Sequence, residues 1–90
     1  MTALDVTKNL KLKNLNCVTN NLTSLDVSLN TALTTLSAPG NKLTSLNVDA
    51  NPKLSALYVH NNQLSTINLS QNPLLKDLTI YRNQLTNIDL

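Results

Sequence analysis

The sequence predicts a right-handed solenoid of parallel β structure, with two short strands in each 21-residue turn and little or no α-helix. Two observations carry this. The stretch Leu54–Leu64 reads Leu-x-x-Leu-x-Val-x-x-Asn-x-Leu, and the same frame recurs at Leu12–Leu22, Leu33–Leu43 and Leu75–Leu85 without insertion or deletion. A fixed period of this length is the signature of a repeat architecture. Each repeat also divides into two similar halves. In the fourth they are Leu64-x-x-Ile67-x-Leu69-x-x-Asn72 and Leu75-x-x-Leu78-x-Ile80-x-x-Asn83.

Each half opens with an alternation that places two side chains on one face and the residue between them on the other, as a strand does. A helix fits poorly, because Asn, Thr and Ser are frequent and Leu recurs at spacings of two and three with no sustained 3.6-residue period. Stacking at about 4.8 Å per turn then gathers like residues into columns. Leu15, Leu36, Leu57 and Leu78 form one interior column. Leu4, Leu25, Leu46, Ile67 and Ile88 face it, beside Val6, Val27, Val48, Leu69 and Leu90.

Two Asn columns close the half-turns, Asn9, Asn30, Asn51, Asn72 and Asn20, Asn41, Asn62, Asn83. With one Gly in the chain, the turns depend on Asn, whose amide both donates and accepts where the backbone leaves the ladder. The sequons Asn21-Leu22-Thr23 and Asn68-Leu69-Ser70 are chance matches expected in Asn-rich repeats.

Residues 1–90 read as one domain, with repeats 1–21, 22–42, 43–63, 64–84 and a partial repeat 85–90. Hydrophobic residues make up 41% of the chain, with no Trp or Phe, so the core is aliphatic. Net charge is +2, from 7 basic and 5 acidic residues dispersed along the chain. That is no nucleic-acid footprint. No apolar run approaches the ~20 residues of a membrane span, and no signal peptide is found. The single Cys cannot form an internal disulfide. No capping sequence precedes the first repeat or follows the last, so the chain reads as an uncapped fragment.

The pattern resembles bacterial leucine-rich repeat proteins, and within them the 21-residue nested class known as IRREKO. The resemblance rests on four consecutive matches in register, with Leu54–Leu69 matching throughout and Val59 and Ile67 as aliphatic variants. It covers the whole chain. Cys17 falls, with Ala38, Val59 and Ile80, in a column where this class often carries Cys. The resemblance implies a non-enzymatic binding scaffold, secreted or on a bacterial surface, with the strands of the second half-turns lining a concave binding side.

Candidate functional positions are those that vary from turn to turn. On the outward face they are Asn14, Thr35, Ala56, Asp77; Asn16, Ser37, Tyr58, Thr79; Val18, Pro39, His60, Tyr81; and Thr19, Gly40, Asn61, Arg82. These sets hold both aromatics, the one His and the one Arg, and Tyr and Arg are enriched at interface hot spots. Tyr58, His60, Tyr81 and Arg82 should neighbour one another, with Asn61, Asp77 and Thr79 around them, as a surface for a protein partner.

The first half-turns carry regular columns instead. Thr2, Thr23, Thr44, Ser65 and Thr86 form one, and Asp5, Asp26, Asn47, Asn68 and Asp89 another. Their regularity suggests structure. Thr ladders stabilise sheets without binding ice, and calcium would need more converging oxygens than an acid column broken at Asn47 and Asn68 offers. No cofactor or metal pattern is present. Cys17 should point inward and His60 outward two repeats away, so they form no catalytic pair. The rival reading is a structural or self-assembling solenoid, natural or engineered, associating through its uncapped ends.

Overall fold

The computed structural model describes residues 4–18 and 20–89, with side chains as far as Thr86. Thr2, Thr19 and Leu90, and the side chains of Ile88 and Asp89, therefore lie outside the described residues.

Every strand of the described residues is three residues long and centred on a Leu or Ile of the alternation. Strands β1 (Asn14–Asn16), β2 (Thr35–Ser37), β3 (Ala56–Tyr58) and β5 (Asp77–Thr79) form a four-stranded parallel sheet in the order β1-β2-β3-β5. Its register pairs Leu15 with Leu36, Leu36 with Leu57, and Leu57 with Leu78, an offset of one 21-residue repeat at each step. Strands β4 (Thr66–Asn68) and β6 (Asn87–Asp89) form a second parallel pair. The described residues contain no helix. The body measures 31 × 30 × 16 Å, and its thin dimension suits two backbone walls about 10 Å apart.

The two walls differ. The second half-turns are hydrogen-bonded from turn to turn along the chain. Backbone amides of Thr34 and Thr35 donate to Lys13, those of Ser55 and Ala56 to Thr34, and those of Lys76 and Asp77 to Ser55. In the first half-turns, among the described residues, a ladder joins only β4 and β6. Ser24–Val27 and Ser45–Val48 keep the alternation but are not strands, and a groove of ≈ 200 Å³ runs between Ser45–Asn47 and Thr66–Asn68. The two-strand turn is thus complete only in the last turns described.

The core is the predicted set of columns. Leu36, Leu57, Leu22, Leu43, Leu64, Val27 and Val48 are fully buried, and Leu25, Leu46 and Ile67 nearly so. Leu78 departs from its column. It is 37% exposed, since among the described residues β5 pairs on one side only, whereas Leu57 lies between two strands. Ala56 departs in the opposite sense. It holds an outward position yet is buried, because its single methyl is overtopped by Thr35 and Asp77 on the flanking strands.

The Asn columns supply the turn hydrogen bonds. Asn41 Oδ1 accepts from the backbone amides of Asn20 (3.0 Å) and Leu22 (2.9 Å), and its Nδ2 donates to the carbonyls of Cys17 (2.9 Å) and Ala38 (3.1 Å). Asn62 and Asn83 repeat the donor side one and two turns on, with Oδ1 accepting the Leu43 and Leu64 amides respectively. The other column uses one end of its amide. Nδ2 of Asn30, Asn51 and Asn72 each donates to two carbonyls, one of them from Asn9, Asn30 or Asn51 of the preceding turn. Their Oδ1 atoms are buried without a protein partner.

The Asp/Asn column is a row of turns. Oδ1 of Asp5, Asp26, Asn47 and Asn68 accepts the backbone amide of Thr7, Ser28, Asp49 and Ser70 at 2.8–2.9 Å. Such a turn needs only an acceptor oxygen two residues before the amide, which Asp and Asn both provide. Among the described residues no group of three or more metal-ligating side chains occurs.

Candidate functional site

Tyr58 ends β3 and sits in register between Ser37 and Thr79. Asp77 and Thr79 are the outer residues of β5. His60, Asn61, Tyr81 and Arg82 lie beyond the strands, in the turns that the Asn column closes. The His60 carbonyl accepts from the Gly40 amide (3.1 Å) and from Asn62 Nδ2 (3.2 Å); the Tyr81 carbonyl accepts from the Asn61 amide (3.0 Å) and from Asn83 Nδ2 (3.4 Å). The backbone at both ring-bearing residues is thereby fixed one turn apart.

That spacing brings the rings together. His60 and Tyr81 stack with centroids 4.7 Å apart and planes inclined by 24°, within the range of favourable aromatic pairs. The expectation that His60 is simply exposed needs correction. It is half-buried, and its Nδ1 is enclosed with no hydrogen-bond partner. Tyr81 is 57% exposed, and Val18 in the same column 47%. Tyr58 and Thr79 are half-buried, while Asn61, Asp77 and Arg82 are exposed. The stack is the one contact that unites two of the predicted site residues through their rings; Tyr58 and Asp77 share the sheet face, further back along β3 and β5.

The column of Gly40, Asn61 and Arg82 is not free of the fold, although its residues vary. All three have left-handed backbone, with φ of 69°, 56° and 56°. Gly takes this conformation without penalty and Asn tolerates it, whereas a side chain such as Arg incurs about 1–2 kcal/mol there. Variation at this column hides a backbone requirement, and only a comparison of residue types (Gly, Asn) could have signalled it.

Cys17 points inward as predicted, with its Sγ 3.7 Å from the Ser37 carbonyl. Burial pushes its thiol above the ordinary value, which keeps it protonated and unreactive. Grooves of ≈ 430 Å³ at Lys8–Leu12 and ≈ 380 Å³ around Pro73 and Leu78 lie away from the ring stack. The site is a surface and not a cleft. Among the described residues no helix is long and apolar enough to cross a membrane.

The register of one repeat per strand, the parallel sheet and the Asn-closed turns define a leucine-rich repeat solenoid. Its fold matches that of InlJ from Listeria monocytogenes, with a TM-score of 0.95 and 40% sequence identity over 98% of this chain. The chain spans 20% of the length of that InlJ domain, which is described as a functional domain that includes a cysteine ladder. No protein-family model and no curated protein matches.

Proposed function

We propose that the chain is a non-enzymatic binding segment of a bacterial leucine-rich repeat protein of the 21-residue nested class. It presents the outer face of its four-stranded sheet, the concave side of the coil, to a protein partner at the cell surface or in secreted form. One observation carries this: on a scaffold of recurring residues, His60 and Tyr81 stack, the next residue after Tyr81 is an exposed Arg82, and Tyr58, Thr79 and Asp77 belong to the adjoining strands. Rigid aromatics next to an Arg are what interface centres use. The 40% identity to an InlJ domain that includes a cysteine ladder supports a bacterial leucine-rich repeat protein, and the buried Cys17 is compatible with such a column. The open surface, with no enclosed cleft at the site, favours a macromolecule over a small substrate.

The test is the affinity for a partner captured with the wild-type chain. Tyr81→Ala is expected to weaken binding by 1–2 kcal/mol or about tenfold or more, and Tyr58→Ala by less. Unchanged affinity in both variants removes the site.

A further inference from the structure

Arg82 occupies a backbone conformation that its two neighbours in the column meet with Gly40 and Asn61. Its side chain is exposed, so packing gives no reason for an Arg at that position. A residue held in a sparsely populated conformation at a candidate contact surface points to a role outside the fold.

Charge placement shows which role. Of the five acids, Asp5, Asp26 and Asp49 belong to the first half-turns and their turns, and Asp89 to β6. Asp77 alone belongs to the four-stranded sheet. The same half of the coil carries Lys13 and Lys76 immediately before β1 and β5, and Lys42 and Arg82 in the turns after the strands. The half-turns that bear the ring stack therefore carry a net positive charge, four basic residues against Asp77, whereas in the other half-turns Lys8, Lys11 and Lys53 nearly balance the four acids.

We infer that Arg82 is the anchor for a carboxylate on the partner, so that this face takes an acidic protein segment, with the Tyr81 ring packing against its apolar part. This rests on the sheet face being the binding surface. A guanidinium binds a carboxylate through two parallel hydrogen bonds. Arg82 is exposed, so such a pair can form there.

The experiment uses the whole chain and a peptide of alternating Glu and Tyr, with a Gln-and-Tyr peptide as control, followed by amide chemical shifts. The Glu peptide is expected to shift His60, Asn61, Tyr81 and Arg82, and to bind roughly tenfold or more weakly to Arg82→Gly. That variant relieves the backbone and should melt higher by about 4–8 °C, so weaker binding would not reflect unfolding. Binding should also fall as salt rises from 0.05 to 0.5 M, as the Debye length of about 10 Å shrinks.

Equal binding of both peptides, shifts confined to Lys8 and Lys11, or unchanged affinity in Arg82→Gly overturns the assignment, as does no binding at all. Binding that survives Arg82→Gly but is lost in Tyr81→Ala overturns the carboxylate anchor alone. Binding that survives both variants removes the surface as well.

Discussion

Asn62 and Asn51 close equivalent turns with unequal use of the same amide. Asn62 donates to the carbonyls of Ala38 (2.9 Å), Val59 (2.9 Å) and His60 (3.2 Å) and accepts from the Leu43 amide (3.1 Å). Asn51 donates to Val27 (3.1 Å) and Asn30 (2.9 Å), and its Oδ1 has no protein partner. Each buried group left without a partner costs roughly 1–3 kcal/mol. Asn62→Ala orphans a donor as well as carbonyls, and so should lower stability by at least about 1 kcal/mol more than Asn51→Ala. Urea unfolding midpoints compare the two, and equal or reversed losses would show that the acceptor end contributes nothing. Asn62 also holds the His60 backbone in place, so its loss should loosen the ring stack. At this scale the sequence was informative about which residues recur and silent about what each atom does. The two Asn columns look alike in sequence, and the left-handed requirement at Arg82 is invisible behind Gly40 and Asn61.

Turns and strands show where alternation stops being informative. The Leu-x-Leu pattern fixes which side chains face inward, and it did so correctly in both halves of the repeat for Leu36, Leu57, Leu46 and Ile67. It says nothing about the distance between neighbouring turns. Hydrogen bonding depends on that distance, and so the first half-turns pair, among the described residues, only between β4 and β6. Paired or not, the first half-turns from Asp5 to Asn68 each carry the Asp/Asn turn, and where the acceptor is Asp this gives a pH dependence. The Ser28 hydroxyl and then its amide hold the Asp26 carboxyl below 3.8, and the Thr7 hydroxyl and amide do the same for Asp5. A lowered folded-state value means a contribution that is complete above the unfolded value near 3.8 and lost as pH falls through the folded one. Asn47 and Asn68 make the same turn without titrating. Asp26→Asn should therefore preserve stability at pH 7 and reduce its decline between pH 4 and pH 2. Thermal melts across that window decide it, and an acid limb as steep as that of the wild type would mean that the turn charge does not contribute.

The whole molecule is a one-dimensional stack in which each turn touches only its neighbours, and stability should follow position along it. Leu57 is fully buried between Leu36 and Leu78, in register on either side. Its truncation removes contacts across two interfaces and leaves a cavity, so Leu57→Ala should cost roughly 2–5 kcal/mol. Leu78 belongs to the same sequence column but, among the described residues, its strand pairs on one side only. Leu78→Ala should cost less, since a side chain already 37% exposed loses less buried area and leaves no closed cavity. Nothing in the repeat pattern distinguishes the two leucines; the difference belongs to the stack. Amide exchange should show the same gradient, slowest in β2 and β3 and faster in β5. If Leu78→Ala destabilises as strongly as Leu57→Ala, the turns do not act as separate nearest-neighbour units. In that case the surface proposed around Tyr81, built on the same turn as Leu78, would be held by the whole coil and not by its immediate neighbour.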